Sequence, residues 1–117
     1  TARETLAFLA EVRRLPGADA RIEAALDQVG LAGRADDRVG TYSSGMKQRV
    51  KYAAALLAEP PLLLLDEPSV NLDAAGLEMV ERVMARQRAA GRLLVVATNV
   101  AEEAARCDRT ISVEDYK

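Results

Sequence analysis

The chain has 117 residues, the size of one small domain, and sets 16 Lys plus Arg against 18 Asp plus Glu for a formal net charge of −2. Its one Cys forecloses an internal disulfide, and the absence of His removes histidine-ligated zinc and Ser-His-Asp catalysis from this chain. A slightly acidic balance offers no basic excess to nucleic-acid phosphates, and at 50% hydrophobic the chain is too apolar for disorder.

The N-terminus, Thr1-Ala2-Arg3-Glu4, has neither Met nor a signal-peptide core, so it reads as an excised piece of a cytoplasmic protein. Phe8, Leu9, Val12 and Leu15 recur at three-to-four spacing and predict an amphipathic helix from about Arg3 to Leu15, which Pro16-Gly17 ends. Asp19 is placed to cap a second helix with a buried stripe of Ile22, Ala25, Leu26 and Val29, and Gly30 sits where a C-cap glycine belongs. Residues 31–41 read as loop. A third helix is predicted from about Ser44 to Ala58, with Met46, Val50, Ala53, Ala54 and Leu57 on one face, before Glu59-Pro60-Pro61 stops it. Leu62 to Leu65 is bounded by prolines and reads as a buried strand; no bulky apolar run in the chain is longer, so none approaches the roughly 20 residues that span a bilayer. Asp73 is expected to cap a long helix from Ala74 to about Ala90, whose inner face is Leu77, Val80, Val83, Met84 and Gln87, with Gly91 closing it. Leu93 to Ala97 reads as a second strand, Val100 to about Arg106 as a short helix, and Thr110 to Val113 as a third strand. Helices first, then strand-helix-strand-helix-strand, imply a helical front part (1–58) and a parallel α/β part (59–117) with right-handed crossovers. So few strands do not complete a parallel sheet, and the remainder is expected from sequence outside this chain.

Two stretches carry chemistry. In Tyr42-Ser43-Ser44-Gly45-Met46-Lys47-Gln48-Arg49, hydroxyls and a glycine lie just before a helix. Free N–H groups and the positive end of the helix dipole there favour an anion such as a phosphate, although serines at this place also serve as an ordinary N-cap. In Leu62 to Leu65 followed by Asp66-Glu67-Pro68, carboxylates stand at the C-terminal end of a parallel strand, the edge where α/β proteins bind ligands. Asp66 is placed to hold Mg²⁺, and Glu67 to orient and deprotonate a water attacking a γ-phosphate; a solvated acidic turn has the same composition.

Taken together, in this order and with Asn71-Leu72-Asp73 following, these stretches resemble the ATP-binding subunit of ABC transporters. Ser43, Ser44, Gly45 and Met46 resemble the signature motif, and Leu62 to Glu67 the Walker B motif. Ser69 to Asp73 is similar to the D-loop, and Val95-Val96-Ala97-Thr98-Asn99 to the switch strand. The resemblance implies a P-loop NTPase fold, ATP and Mg²⁺ as ligands, and a head-to-tail dimer with a second ATP-binding subunit. It also implies a pair of transmembrane permease domains as partners, no nucleic acid, and a place at the inner face of the cell membrane. By the same resemblance Ser43, Ser44, Gly45 and Met46 contact nucleotide held by the partner subunit, and Asp73 couples the two sites. Asp66 binds Mg²⁺, and Glu67 with Asn99 acts on the chain's own nucleotide.

Three departures stand beside it. Asn99 replaces the switch histidine, and a carboxamide donates a hydrogen bond without a titratable proton. Ser44 and Met46 stand where Gly and Gln are usual. No Gly-x-x-x-x-Gly-Lys-Ser/Thr occurs, so the chain resembles the second half of the domain only, with the phosphate-cradling loop absent. Two further readings fit the motifs: a soluble ABC-type ATPase acting on DNA or ribosomes, and a non-catalytic regulatory module. About 41 residues without sustained heptads before the signature speak against a chromosome-maintenance member.

Overall fold

The computed structural model describes residues 1–116; Lys117, the last residue of the expected second part, lies outside the described residues. Helix α1 (Ala2–Val12) is capped by the Thr1 hydroxyl, which accepts from the Glu4 N–H at 3.1 Å. Its buried stripe is Ala2, Leu6 and Ala10, with Leu9 beside it, while Phe8 and Val12 are 65% and 62% exposed. The expected stripe is therefore rotated. Two apolar rows run along this helix, and the one with the small residues lets α1 lie close against its neighbour. Helix α2 (Ala18–Gln28) buries Ile22, Ala25 and Leu26 with Val29 behind them, as the spacing predicts. Its N-cap is Gly17 in the left-handed conformation, not Asp19, which sits in the first turn where a carboxylate suits the helix dipole.

Gly30 closes α2 with φ +72. A methyl there would lie 2.9 Å from Nη1 of Arg49, which donates to the Val29 carbonyl at 2.6 Å. Arg49 thus satisfies an orphan carbonyl at a helix C-terminus, a place that also favours positive charge. Residues 32–34 and 39–41 form single 3₁₀ turns within the expected loop. Helix α3 (Ser44–Leu56) follows, with Val50, Tyr52, Ala53, Leu56 and the next residue, Leu57, buried. Helix α2 packs against α1 and α3 and also reaches the last long helix, so one hydrophobic core runs from Ala2 to Met84.

Strand β1 (Leu62–Asp66) and strand β2 (Leu93–Ala97) pair in parallel, with Leu62 opposite Leu93 and Asp66 opposite Ala97. The crossover between them is helix α4 (Ala74–Ala89), which packs on β2. Its buried face is Gly76, Met79, Val80, Val83, Met84 and Gln87; Leu77 is exposed, one position off the row that meets the sheet. The Gln87 Nε2 donates to the Pro60 carbonyl at 3.0 Å and to the Leu93 carbonyl at 2.9 Å, tying α4 to the starts of both strands. The strands are half-buried rather than fully buried. Leu63, Leu65, Leu94 and Val96 face the core, while Leu64 and Leu93 are 67% and 68% exposed on the other side. Helix α5 (Ala101–Ala105) matches the expected short helix. No third strand forms among the described residues: Thr110 to Ser112 pairs with nothing, and Val113–Tyr116 is a 3₁₀ turn. A strand exists only by pairing, and the β-branched run here finds no neighbour within the described chain.

The Gly30 arrangement gives a direct test. Gly30→Ala introduces a left-handed alanine and pushes against Arg49, so it should cost about 1–2 kcal/mol in urea denaturation. Gly33→Ala, where a methyl meets nothing within 4 Å, should stay within about 0.5 kcal/mol of the parent.

Candidate functional site

The structure gathers the candidate residues into two groups. The first surrounds the start of α3. Ser43 is the N-cap, its hydroxyl oxygen accepting from the Met46 N–H at 3.2 Å, and Ser44 and Gly45 form the first turn. Their N–H groups have no intrahelical acceptor and project at the positive end of a 13-residue helix. A methyl at Gly45 would meet nothing closer than 4.0 Å, so the chain's own packing leaves room for more than glycine there. The approach to this turn is fixed by Tyr42, which is buried and donates its hydroxyl to the Arg34 carbonyl. Burial, reinforced by the nearby Asp37, raises the Tyr42 phenol above its ordinary value.

A hollow of about 540 Å³ opens in front of this helix start, lined by Ser43, Ser44, Gly45 and Met46 on one side and by Asn71, Leu72, Asp73 and Gly76 on the other. Asp73 caps α4, its Oδ1 accepting from the Gly76 N–H at 2.8 Å. A methyl at Gly76 would lie 3.1 Å from that oxygen and 3.2 Å from Leu72, so the glycine lets the loop fold tightly onto the helix. Asn71, at φ +60, turns the loop in a conformation that asparagine tolerates. Arg34, also at the rim, is held by an ion pair with Asp37. Sequence reasoning missed Arg34 and Gly76; an isolated glycine inside a helical pattern was the available signal for the latter.

The second group lies at the C-terminal edge of the strand pair. Asp66 ends β1 opposite Ala97, and Glu67 continues the pairing by donating its N–H to the Ala97 carbonyl at 2.7 Å. Glu67 has φ +45, a left-handed conformation that costs a non-glycine residue about 1–2 kcal/mol. Its carbonyl accepts from the Val70 N–H at 3.2 Å, and the buried Pro68 follows. Across the pair, Thr98 Oγ1 accepts from the Val100 N–H at 2.9 Å, and Asn99 Nδ2 donates to Glu67 Oε1 at 3.1 Å. Asp66, Glu67 and Asn99 are all exposed. Hence Glu67 and Asn99, distant by 32 residues, meet directly, with Asp66 beside them in sequence; none of the three lines the hollow at α3. Among the described residues no cluster of three or more His, Cys, Asp or Glu could hold a metal ion. One carboxylate at a strand end is nonetheless the donor set that suits Mg²⁺ shared with nucleotide phosphates, since that ion is held by one or two carboxylates plus the substrate.

Glu103 of α5 is 7% exposed, and neither carboxylate oxygen has a hydrogen-bond partner among the described residues. Burial, and after it the proximity of Glu103, raises the Tyr52 phenol above its ordinary value of 10.0. Cys107 is a half-buried free thiol.

The chain as a whole is similar to known proteins. A family model described as "ABC transporter" matches residues 1–70. The cytochrome c biogenesis ATP-binding export protein CcmA of Pseudomonas syringae pv. syringae (strain B728a) is 42% identical over 100 residues, which is 85% of this chain and 46% of that protein. The aliphatic sulfonates import ATP-binding protein SsuB of Albidiferax ferrireducens is 48% identical over 101 residues, 83% of this chain and 36% of that one. A solved structure of cbiO1 from Clostridium perfringens, part of the ABC transporter complex cbiONQ, superposes with a TM-score of 0.72 at 29% identity, covering 86% of this chain and 41% of that chain. The chain thus spans less than half the length of each of these relatives.

Ser43→Ala should remove a helix cap and cost about 1 kcal/mol, whereas Ser44→Ala, whose hydroxyl caps nothing in the fold, should leave the denaturation midpoint within experimental error.

Proposed function

This chain belongs to the ABC transporter family of ATP-binding domains, and we propose that it is part of a subunit that hydrolyses ATP to drive transport across a membrane. The observation that carries this reading is the strand-end group. The parallel pairing sets one carboxylate, Asp66, beside a second, Glu67, which accepts a hydrogen bond from a side chain at the end of the neighbouring strand. On the edge where α/β sheets bind ligands, that arrangement suits phosphoryl transfer from a nucleotide to water. When bound, Mg²⁺ on Asp66 would neutralise charge on the nucleotide phosphates. Glu67 orients the attacking water and accepts its proton, and its exposed carboxylate has a free oxygen for this. Asn99 completes the group from the switch position.

The hollow at α3 serves a different nucleotide in this reading. Two subunits assemble head to tail, and the N–H groups of Ser44 and Gly45, the Ser43 and Ser44 hydroxyls and the Met46 turn contact the γ-phosphate of ATP held by the partner. Asp73, in the same hollow but only a few residues after Glu67, links one site to the other. Residues 1–58 form the helical subdomain with its signature helix, and residues 59–117 the second part of the ATPase core. The phosphate-cradling loop and the remaining strands belong to the part of the relatives' length that this sequence does not span. Those strands would add at the open edges of the β1–β2 pair, and their helices would cover its bare apolar side. No helix among the described residues is long and apolar enough to cross a membrane. In this reading the subunit works with permease domains at the inner membrane face.

In the full-length protein, Glu67→Gln should lower the rate of ATP hydrolysis by about 10²- to 10⁴-fold while Mg-ATP binding persists. The isolated 117-residue chain should show negligible Mg-ATP affinity in titration calorimetry, and micromolar binding would contradict the proposal.

A further inference from the structure

A cavity of about 370 Å³ lies at the opposite end of the strand pair from Glu67 and Asn99, where the ends of α2, α3 and α4 meet the starts of β1 and β2. Helix α3, 13 residues or about 20 Å long, separates it from the hollow at Ser43. Its apolar wall includes Leu56 and Val83, both buried. Its polar wall is built on Gln87, which is 3% exposed. Both partners of the Gln87 side chain, the Pro60 and Leu93 carbonyls at 3.0 and 2.9 Å, only accept, so the bonded atom is the nitrogen and the carboxamide is fixed. The other atom, Oε1, accepts from nothing among the described residues. The side-chain atoms sealed from solvent there without a partner all belong to Glu103, so Gln87 Oε1 is open, and the opening beside it is this cavity. Two guanidiniums stand at the same cavity. Arg86 is exposed and has no ion pair among the described residues. Arg92 and Arg21 share the Glu59 carboxylate at 3.6 and 4.0 Å, separations too long for hydrogen bonds, so Glu59 does not use up the Arg92 donors.

We propose that this cavity is a binding site for a small organic anion that also carries a hydroxyl group. Two guanidiniums against one carboxylate favour a negative occupant, and the planar guanidinium fork suits a carboxylate or a phosphate alike. The open carbonyl oxygen of a fixed carboxamide calls for a donor. A hydroxyl supplies one without the positive charge that Arg86 and Arg92 would repel. Leu56 and Val83 cover the carbon stem between the two polar ends, and the volume falls in the range of small-molecule sites. The occupant would touch the helical part through the ends of α2 and α3 and the strand part through α4 and Arg92. None of these residues belongs to either nucleotide group, so the site does not depend on the functional reading above.

The test is an NMR titration of the full-length protein with two matched pairs of probes. Glycerol 3-phosphate and L-lactate carry both an anion and a hydroxyl; methyl phosphate and propionate carry the anion alone. At least one of the first two should bind saturably with a Kd of about 1 mM or tighter, shifting the Gln87 side-chain amide and the backbone amides of residues 89–92. Which of them binds identifies the anion as a phosphate or a carboxylate. Its hydroxyl-free counterpart should bind about fivefold more weakly or worse, the scale of one lost hydrogen bond. Arg86→Ala should weaken binding about tenfold and Arg86→Glu should abolish it, with Mg-ATP affinity unchanged in both. The proposal is overturned if neither hydroxylated anion binds saturably, or if their shifts are confined to residues 43–46 or 66–67. Equal binding by the hydroxyl-free counterpart, or binding indifferent to Arg86→Glu, would overturn it as well.

Discussion

The in-register parallel pairing of β1 with β2 is the constraint on which the rest of the molecule depends. Parallel strands cannot be joined by a tight turn, so the chain must return through a crossover, and α4 is that crossover. The same pairing brings both C-terminal strand ends to one edge, which is why Glu67 and Asn99 meet. The Glu67 N–H to Ala97 bond carries the ladder one residue past Asp66 and holds Glu67 in its left-handed conformation. Gln87, buried in α4, bonds the carbonyls at the starts of both strands and sets the crossover's position against them.

From this edge the loop 69–73 leads directly to the other site. Asp73 caps α4, and the tight packing of Gly76 against Leu72 lays that loop beside the start of α3. The helical front part holds α3 in place from the far side: Arg49 reaches back to cap α2, and Tyr42 bonds the loop before Ser43 and Ser44. One short segment, residues 66–73, thus touches both candidate sites.

Much of this was legible in the sequence because the strongest signals are local. Proline boundaries and a leucine run marked β1, Gly30 and Gly91 marked helix ends, and the order of Ser43–Met46, Asp66-Glu67 and Asp73 pointed to nucleotide chemistry. What was not legible depends on neighbours. In α1, spacing alone does not choose between the Phe8–Val12 row and the Leu6–Ala10 row; the closeness of α2 chooses the smaller side chains. In α4, Leu77 and Met79 both fit the period, and the fold buries Met79. The Thr110–Val113 run has strand-forming residues, yet strand formation needs an edge to pair with. The contact between Asn99 and Glu67 and the Glu103 carboxylate, unpartnered among the described residues, are products of tertiary placement, which no spacing encodes.

The central claim is that the strand-end carboxylates and Asn99 form a nucleotide-hydrolysing group. It is tested most directly by a crystal structure of the full-length protein with Mg²⁺ and a non-hydrolysable ATP analogue. The account predicts the γ-phosphate at the C-terminal edge of β1, the metal against Asp66, and Glu67 still bonded to Asn99 with its other oxygen facing the phosphate. A γ-phosphate bound away from that edge, with Asp66 and Glu67 in open solvent, would contradict it.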